Sequence, residues 1–139
     1  MRRAIAMLAA VAVLSAVGLA STEVRAAEAE RFKACFQYPH DASGCVTRLS
    51  IQIGWHVKLR ARAEWHAGKR VELWQSNPGE ARYQLAARLR FDENGRVLYR
   101  WDAPTEIECC WRWVFRAVNG RGDVIAVSNH LRAETAPGD

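Results

Sequence analysis

Beyond residue 20 the chain has no apolar run long enough to cross a bilayer, which excludes a transmembrane helix from its body. It carries no GxSxG elbow, no P-loop and no glycine-rich dinucleotide fingerprint, so the motif-borne routes to hydrolysis, nucleotide turnover and hydride transfer are absent. CxxC and HExxH spacings are missing too, and His40, His56, His66 and His130 are scattered. No metal, no cofactor and no catalytic residue is therefore expected. His40, Asp41 and Ser43 lie close in sequence, but a loop bounded by cysteines is more simply a structural staple than a hydrolase site. Charge is modest: 20 Lys and Arg against 15 Asp and Glu give +5, a balance that does not indicate a nucleic-acid partner. With 139 residues there is room for one small domain and not for a two-domain enzyme.

What is present begins with an address. Arg2 and Arg3 precede a run at 4–20 built almost entirely of Ala, Val, Leu, Ile and Met, broken by Ser15 and Gly18. That order of charge, apolar run and small residues is a secretory signal, and the run falls short of the about 20 residues a spanning helix needs. Gly18-Leu19-Ala20 and Val24-Arg25-Ala26 each offer a cleavage site, the second leaving a chain that starts at Ala27; an uncleaved anchor is the alternative. Losing Arg2, Arg3, Arg25 and Glu23 lowers the charge from +5 to +3. The expected location is secreted, extracellular or cell envelope, with no membrane association after cleavage.

Cys35, Cys45, Cys109 and Cys110 are an even set in an exported chain, so two disulfides are expected, with three connectivities open. Loop closure is worth about 2.8 kcal/mol for a short loop such as 35–45 and about 4.5 kcal/mol for one of roughly 75 residues, whereas a bond between neighbours closes almost nothing. This arithmetic favours tying the N-terminal segment to Cys109 or Cys110. Against it, neighbours on a strand point to opposite faces and reach one partner segment only where the strand begins or bulges.

From residue 49 onward a period of two dominates. Leu49, Ile51, Ile53, Trp55, Val57, Leu59, Ala61, Ala63 and Trp65 alternate with residues that are not strongly apolar, a half-buried strand surface that must bend near Gly54 to stay within a small domain. The same parity marks Val71 and Leu73; Tyr83 to Phe91; Val97 to Trp101; Cys109 to Ala117; and a last strand through Ile125, Val127 and Leu131. Overlapping the second of these, 80–89 could instead form a short helix in isolation. Asn77-Pro78-Gly79 is a turn, Asp92-Glu93-Asn94-Gly95 reads as a hairpin, and Asn119-Gly120-Arg121-Gly122 precedes the last strand. About seven short strands with buried aromatics predict an all-β antiparallel sandwich.

Residues 66–132 resemble the immunoglobulin-like and fibronectin-type-III-like domains of bacterial secreted and surface proteins. The resemblance rests on Ala67-Gly68-Lys69-Arg70-Val71-Glu72-Leu73, Phe91-Asp92-Glu93-Asn94-Gly95-Arg96-Val97 and Trp113-Val114-Phe115-Arg116-Ala117-Val118-Asn119-Gly120. It implies an immunoglobulin-like fold and a surface setting, with no activity attached. The expected organisation is a signal peptide at 1–26, a disulfide-tied segment at 27–46, the sandwich at 47–133 and a flexible tail at 134–139.

Trp55, Trp65, Trp101, Trp111 and Trp113 share the inward register, whereas Trp74 is out of register and with Leu98 and Val114 suggests an exposed apolar patch. Arg60, Arg62, Arg112 and Arg116 lie in the outward register, where a basic face would suit an anionic cell-surface polymer; the competing reading is an ordinary solvated surface. Arg121-Gly122-Asp123 falls at a turn whose glycines serve turn geometry in any hairpin. The function expected from the sequence is a noncatalytic binding or surface-interaction module for an extracellular protein or anionic polymer. The alternatives are an inhibitor or small-ligand carrier acting through the loop between Cys35 and Cys45 and, third, a small secreted enzyme. Exported from a bacterial host and sequenced from its N-terminus, the chain should begin at Ser21 or Ala27; a product that retains Met1 would show an anchor instead.

Overall fold

The computed structural model describes residues 30–38 and 41–138, so the signal segment, both cleavage sites and His40 lie outside the described residues. Ten strands follow in chain order: β1 (Glu30–Tyr38), β2 (Asp41–Val46), β3 (Arg48–Gln52), β4 (His56–Arg62), β5 (Arg70–Ser76), β6 (Gln84–Arg90), β7 (Arg96–Asp102), β8 (Cys109–Val118), β9 (Val124–Ser128) and β10 (Leu131–Ala136). No α-helix occurs among the described residues; a single 3-10 turn spans Glu64–His66.

The strands form one mixed, non-closed sheet folded into two leaves. The first leaf is β7–β4–β1–β2, all antiparallel. In the second, β6 pairs β5 and β5 pairs β8, while the far edge of β8 is met by β10 along its first half and by β9 along its second. Beyond these lie two parallel neighbours, β3 beside β10 and the first residues of β1 beside β9. β1 therefore belongs to both leaves, pairing β9 through Glu30, Arg31 and Phe32 and β4 from Lys33 to Gln37.

Parity builds the core between the leaves. On β4, Val57, Leu59 and Ala61 are buried while Lys58 and Arg62 face water. Trp101 of β7 packs on Trp113 and Trp111 of β8 with ring centroids 4.9 and 5.2 Å apart, and Phe36 of β1 meets the edge of Trp113 at 5.7 Å. The buried Trp113 indole donates to Gln75 Oε1 at 2.8 Å, so its polar edge is satisfied. Where β1 changes leaf, the Asn129 carboxamide substitutes for a neighbouring strand: the Ala34 N–H donates to Oδ1 at 2.7 Å and Nδ2 donates to the Ala34 carbonyl at 3.0 Å. Beside it Ser128 Oγ accepts the Phe115 N–H at 2.9 Å and donates to the Asn129 carbonyl at 2.7 Å.

Several expectations from the sequence are corrected. The turn at 92–95 is not a hairpin, because β6 pairs β5 whereas β7 pairs β4, so the turn carries the chain from one leaf to the other. Its Gly95 has φ +73°, and a Cβ there would lie 2.5 Å from the Ala63 carbonyl oxygen, a close approach only glycine allows. The cysteine-bearing segment, set before the sandwich in the sequence, supplies β1, the strand the leaves share. Glu134, Thr135 and Ala136, assigned to a flexible tail, pair with β3. Trp65 falls in the 3-10 turn, where parity no longer applies, and is 82% exposed. The run from Tyr83 to Phe91 contains a strand, β6 at Gln84–Arg90, and the bend at Gly54 separates β3 from β4.

Replacing Asn129 with Ala strips both backbone groups of the buried Ala34 of their side-chain partners, and should lower stability by about 2 kcal/mol in equilibrium denaturant unfolding. A loss under about 0.5 kcal/mol would show that β1 does not depend on this clamp.

Candidate functional site

The disulfides pair Cys35 with Cys45 and Cys109 with Cys110, which corrects the favoured cross-tied pattern. β1 and β2 are adjacent antiparallel strands and bring Cys35 to Cys45, while Cys109 and Cys110 open β8 in the other leaf beside β10. The two bridges do different jobs. The first closes the β1–β2 hairpin; the second joins chain neighbours and closes no loop, so it contributes almost nothing by restricting the unfolded chain.

The segment before the Cys pair is pinned to β10 by the buried Thr135. Its hydroxyl accepts the Glu108 N–H at 2.7 Å and donates to the Glu106 carbonyl at 2.7 Å, while its own N–H donates to the Glu108 carbonyl at 3.0 Å. A register shift between Ala133 and Glu134 sets Glu134 opposite Cys109 and leaves Cys110 on the outer face. From β10, Arg132 Nη2 reaches Cys110 Sγ at 3.0 Å and Cys109 Sγ at 3.7 Å. Cys109 is exposed and Cys110 half-buried. A cavity of about 310 Å³ opens beside them, lined by Arg48, Leu49, Ser50, Cys110, Arg132 and Glu134. A guanidinium held on sulfur favours the thiolate over the thiol, which is what a cysteine needs to attack a disulfide or to leave from one.

The residues singled out in the sequence do not form one surface. Arg60 and Arg62 lie on the outer face of β4, in a groove of about 630 Å³ that also takes in Lys33, Arg96, Asp92 and the Cys35–Cys45 bridge. Arg62 is ion-paired with Glu64 there. Arg112 and Arg116 are on the outer face of the opposite leaf. The Arg116 guanidinium sits 4.9 Å over the Trp74 ring and the Trp74 indole donates to Glu72 at 3.2 Å, so Trp74 is engaged within its own leaf. The apolar patch does not assemble: Val114 neighbours Trp74 but is 3% exposed, and Leu98, 51% exposed, belongs to β7. At 119–123 the Asn119 side chain accepts the N–H groups of Arg121 and Asp123 at 2.9 and 3.0 Å, a self-contained turn. The side chains of Asp41 and Ser43 lie outside the described residues. His66 is buried and bonds Glu30 at 2.8 Å, tying the 3-10 turn to the start of β1. Among the described residues no group of three His, Cys, Asp or Glu could hold a metal ion.

Arg132 and Arg48 were not singled out by sequence reasoning. The available signal was the Cys109-Cys110 adjacency itself: a bridge useless as a staple points to chemistry instead.

No protein-family profile matches the chain, and no curated protein matches it. Among solved structures it is similar to a superoxide reductase (neelaredoxin) from Ignicoccus hospitalis, with 8% identity over 75% of this chain and 80% of that one and a TM-score of 0.44. That structure is named as an enzyme and not as an immunoglobulin-like or fibronectin-type domain. The noncatalytic-module expectation is corrected accordingly, and the immunoglobulin-like resemblance is not established by it. A likeness this distant transfers no activity, substrate or metal.

Tyr83 reports on the field around Arg112. Its hydroxyl and His130 Nδ1 are 2.9 Å apart, and burial raises the phenol above its ordinary 10.0, with the charges of Arg112 and Arg116 pulling it down. The folded chain therefore holds this proton to higher pH than the unfolded chain does, so stability falls as pH rises past the ordinary tyrosine range. In an ultraviolet titration the wild type minus Tyr83→Phe difference should show a phenol ionising above 10.0, and a transition below that value would contradict the burial argument.

Proposed function

We propose that this chain is an exported thiol–disulfide oxidoreductase whose working group is Cys109–Cys110, carried on an immunoglobulin-like sandwich. The observation that carries the reading is the Arg132 guanidinium, 3.0 Å from Cys110 Sγ on a bridge that staples nothing. The second pair, Cys35–Cys45, supports an oxidising compartment, in keeping with the export signal.

The chemistry divides between the two sulfurs. An incoming thiolate attacks the exposed Cys109 Sγ, and the Cys110–Cys109 bond breaks with its electron pair leaving on Cys110, where Arg132 compensates the charge. A second thiolate then attacks the partner sulfur of the mixed disulfide, forming the partner disulfide and releasing Cys109 as a thiolate that takes a proton from water. Two thiols are oxidised to one disulfide and the Cys109–Cys110 bond is reduced to two thiols. Run backwards, the same steps oxidise the pair at the expense of a partner disulfide.

The native chain, equilibrated in thiol–disulfide buffers, alkylated and weighed, should open Cys109–Cys110 reversibly while Cys35–Cys45 stays closed. Arg132→Ala should slow opening about tenfold, the equivalent of one charge-assisted hydrogen bond. Cys109→Ser with Cys110→Ser should leave thermal stability nearly unchanged. If Cys35–Cys45 opens first, or the double variant unfolds readily, Cys109–Cys110 is structural and the reading fails.

A further inference from the structure

We infer that the partner of this redox site is a low-molecular-mass thiol bearing carboxylate groups, an inference that rests on the proposed thiol–disulfide exchange. Arg112 of β8, Arg132 of β10 and Arg48 of β3 are direct register partners, so their side chains form one row across three strands on the outer face. Strand spacing sets neighbours in such a row about 5 Å apart. All three are exposed, while their inward neighbours Trp111, Trp113, Leu131 and Ala133 are buried and Leu49 is half-buried, so the row faces away from the core.

Three guanidinium groups side by side repel one another unless anions intervene. Arg48 and Arg112 have no ion-pair partner among the described residues, and the hydrogen bonds that Arg132 makes from its side chain go to the two sulfurs. Glu134 is the acidic residue on the cavity wall. Three cations against the single Glu134 carboxylate leave a net positive field at the mouth of the bond to be broken. Guanidinium forks match carboxylates in two-point geometry, which a neutral or cationic thiol cannot use. The open cavity of about 310 Å³ beside Cys110 has room for a small carboxylate-bearing molecule. Carboxylates held by Arg48 and Arg112 would set the thiol sulfur toward Cys109 while Arg132 remains on Cys110.

The test compares three small thiols, 3-mercaptopropionate, 2-mercaptoethanol and cysteamine, as reductants of the native chain. Each rate is divided by that thiol's rate on a neutral small disulfide, to remove intrinsic reactivity. The expected order is anionic, neutral, cationic, with about tenfold or more between the extremes at low ionic strength, and the spread should collapse in about 1 M salt. Arg48→Ala with Arg112→Ala should abolish the spread. Arg60→Ala with Arg62→Ala removes equal charge from the opposite outer face and should preserve it. Equal normalised rates for all three thiols overturn the inference while leaving the redox reading standing, and so does equal loss of the spread in both double variants, which assigns it to net charge. If no thiol opens the pair, the redox reading itself falls.

Discussion

β1 is held by three neighbours along its length, β9, β4 and β2, and between the residues that pair with β9 and those that pair with β2 its backbone is held by a side chain. Between its parallel pairing with β9 and its antiparallel pairing with β2, and already in register with Ala61 of β4, Ala34 meets the Asn129 carboxamide, which offers one acceptor and one donor in the spacing of a peptide unit. A buried strand changing partners leaves backbone groups that water cannot reach, and each costs about 1 to 3 kcal/mol if unpaired. Asn129 removes that cost at the one point where no strand can. Both leaves, and the aromatic contacts between them, depend on this passage.

The interior follows from the passage. With β1 in place Phe36 meets Trp113, and Trp101 closes over Trp111 and Trp113 from β7. Tryptophan on β8 is therefore structural, and β8 is rigid because three strands and a tryptophan stack immobilise it. Its first residues are the paired cysteines. The pair at the head of such a strand is held in place relative to β10, from which the Arg132 guanidinium reaches both sulfurs.

Two basic surfaces result, on opposite leaves. The β4 groove holds its charge partly neutralised, as in the ion pair of Arg62 with Glu64. The row of Arg48, Arg132 and Arg112 adjoins the Cys109–Cys110 bridge. Each surface adjoins a disulfide, but the β4 groove borders the bridge that secures the β1–β2 hairpin, whereas the row borders the bridge that closes no loop. The Cys35–Cys45 bridge, by contrast, secures a hairpin, and its loop makes the stabilising contribution that the second bridge lacks.

Alternation in the sequence determined that this chain is all-β, that Val57, Leu59 and Ala61 of β4 and Trp111, Trp113, Phe115 and Ala117 of β8 are buried, and that the chain bends at Gly54, though it missed the burial of Val114. Parity failed at Trp65, where the backbone leaves the strand for a 3-10 turn, and it could not assign partners: the turn at 92–95 looked like a hairpin but joins strands of different leaves. The cysteine pairing, the row of Arg48, Arg132 and Arg112, and the meeting of Arg132 with sulfur were decided by tertiary structure alone. Strand register brings together residues far apart in the chain, and local periodicity carries no information about which strand lies next to which.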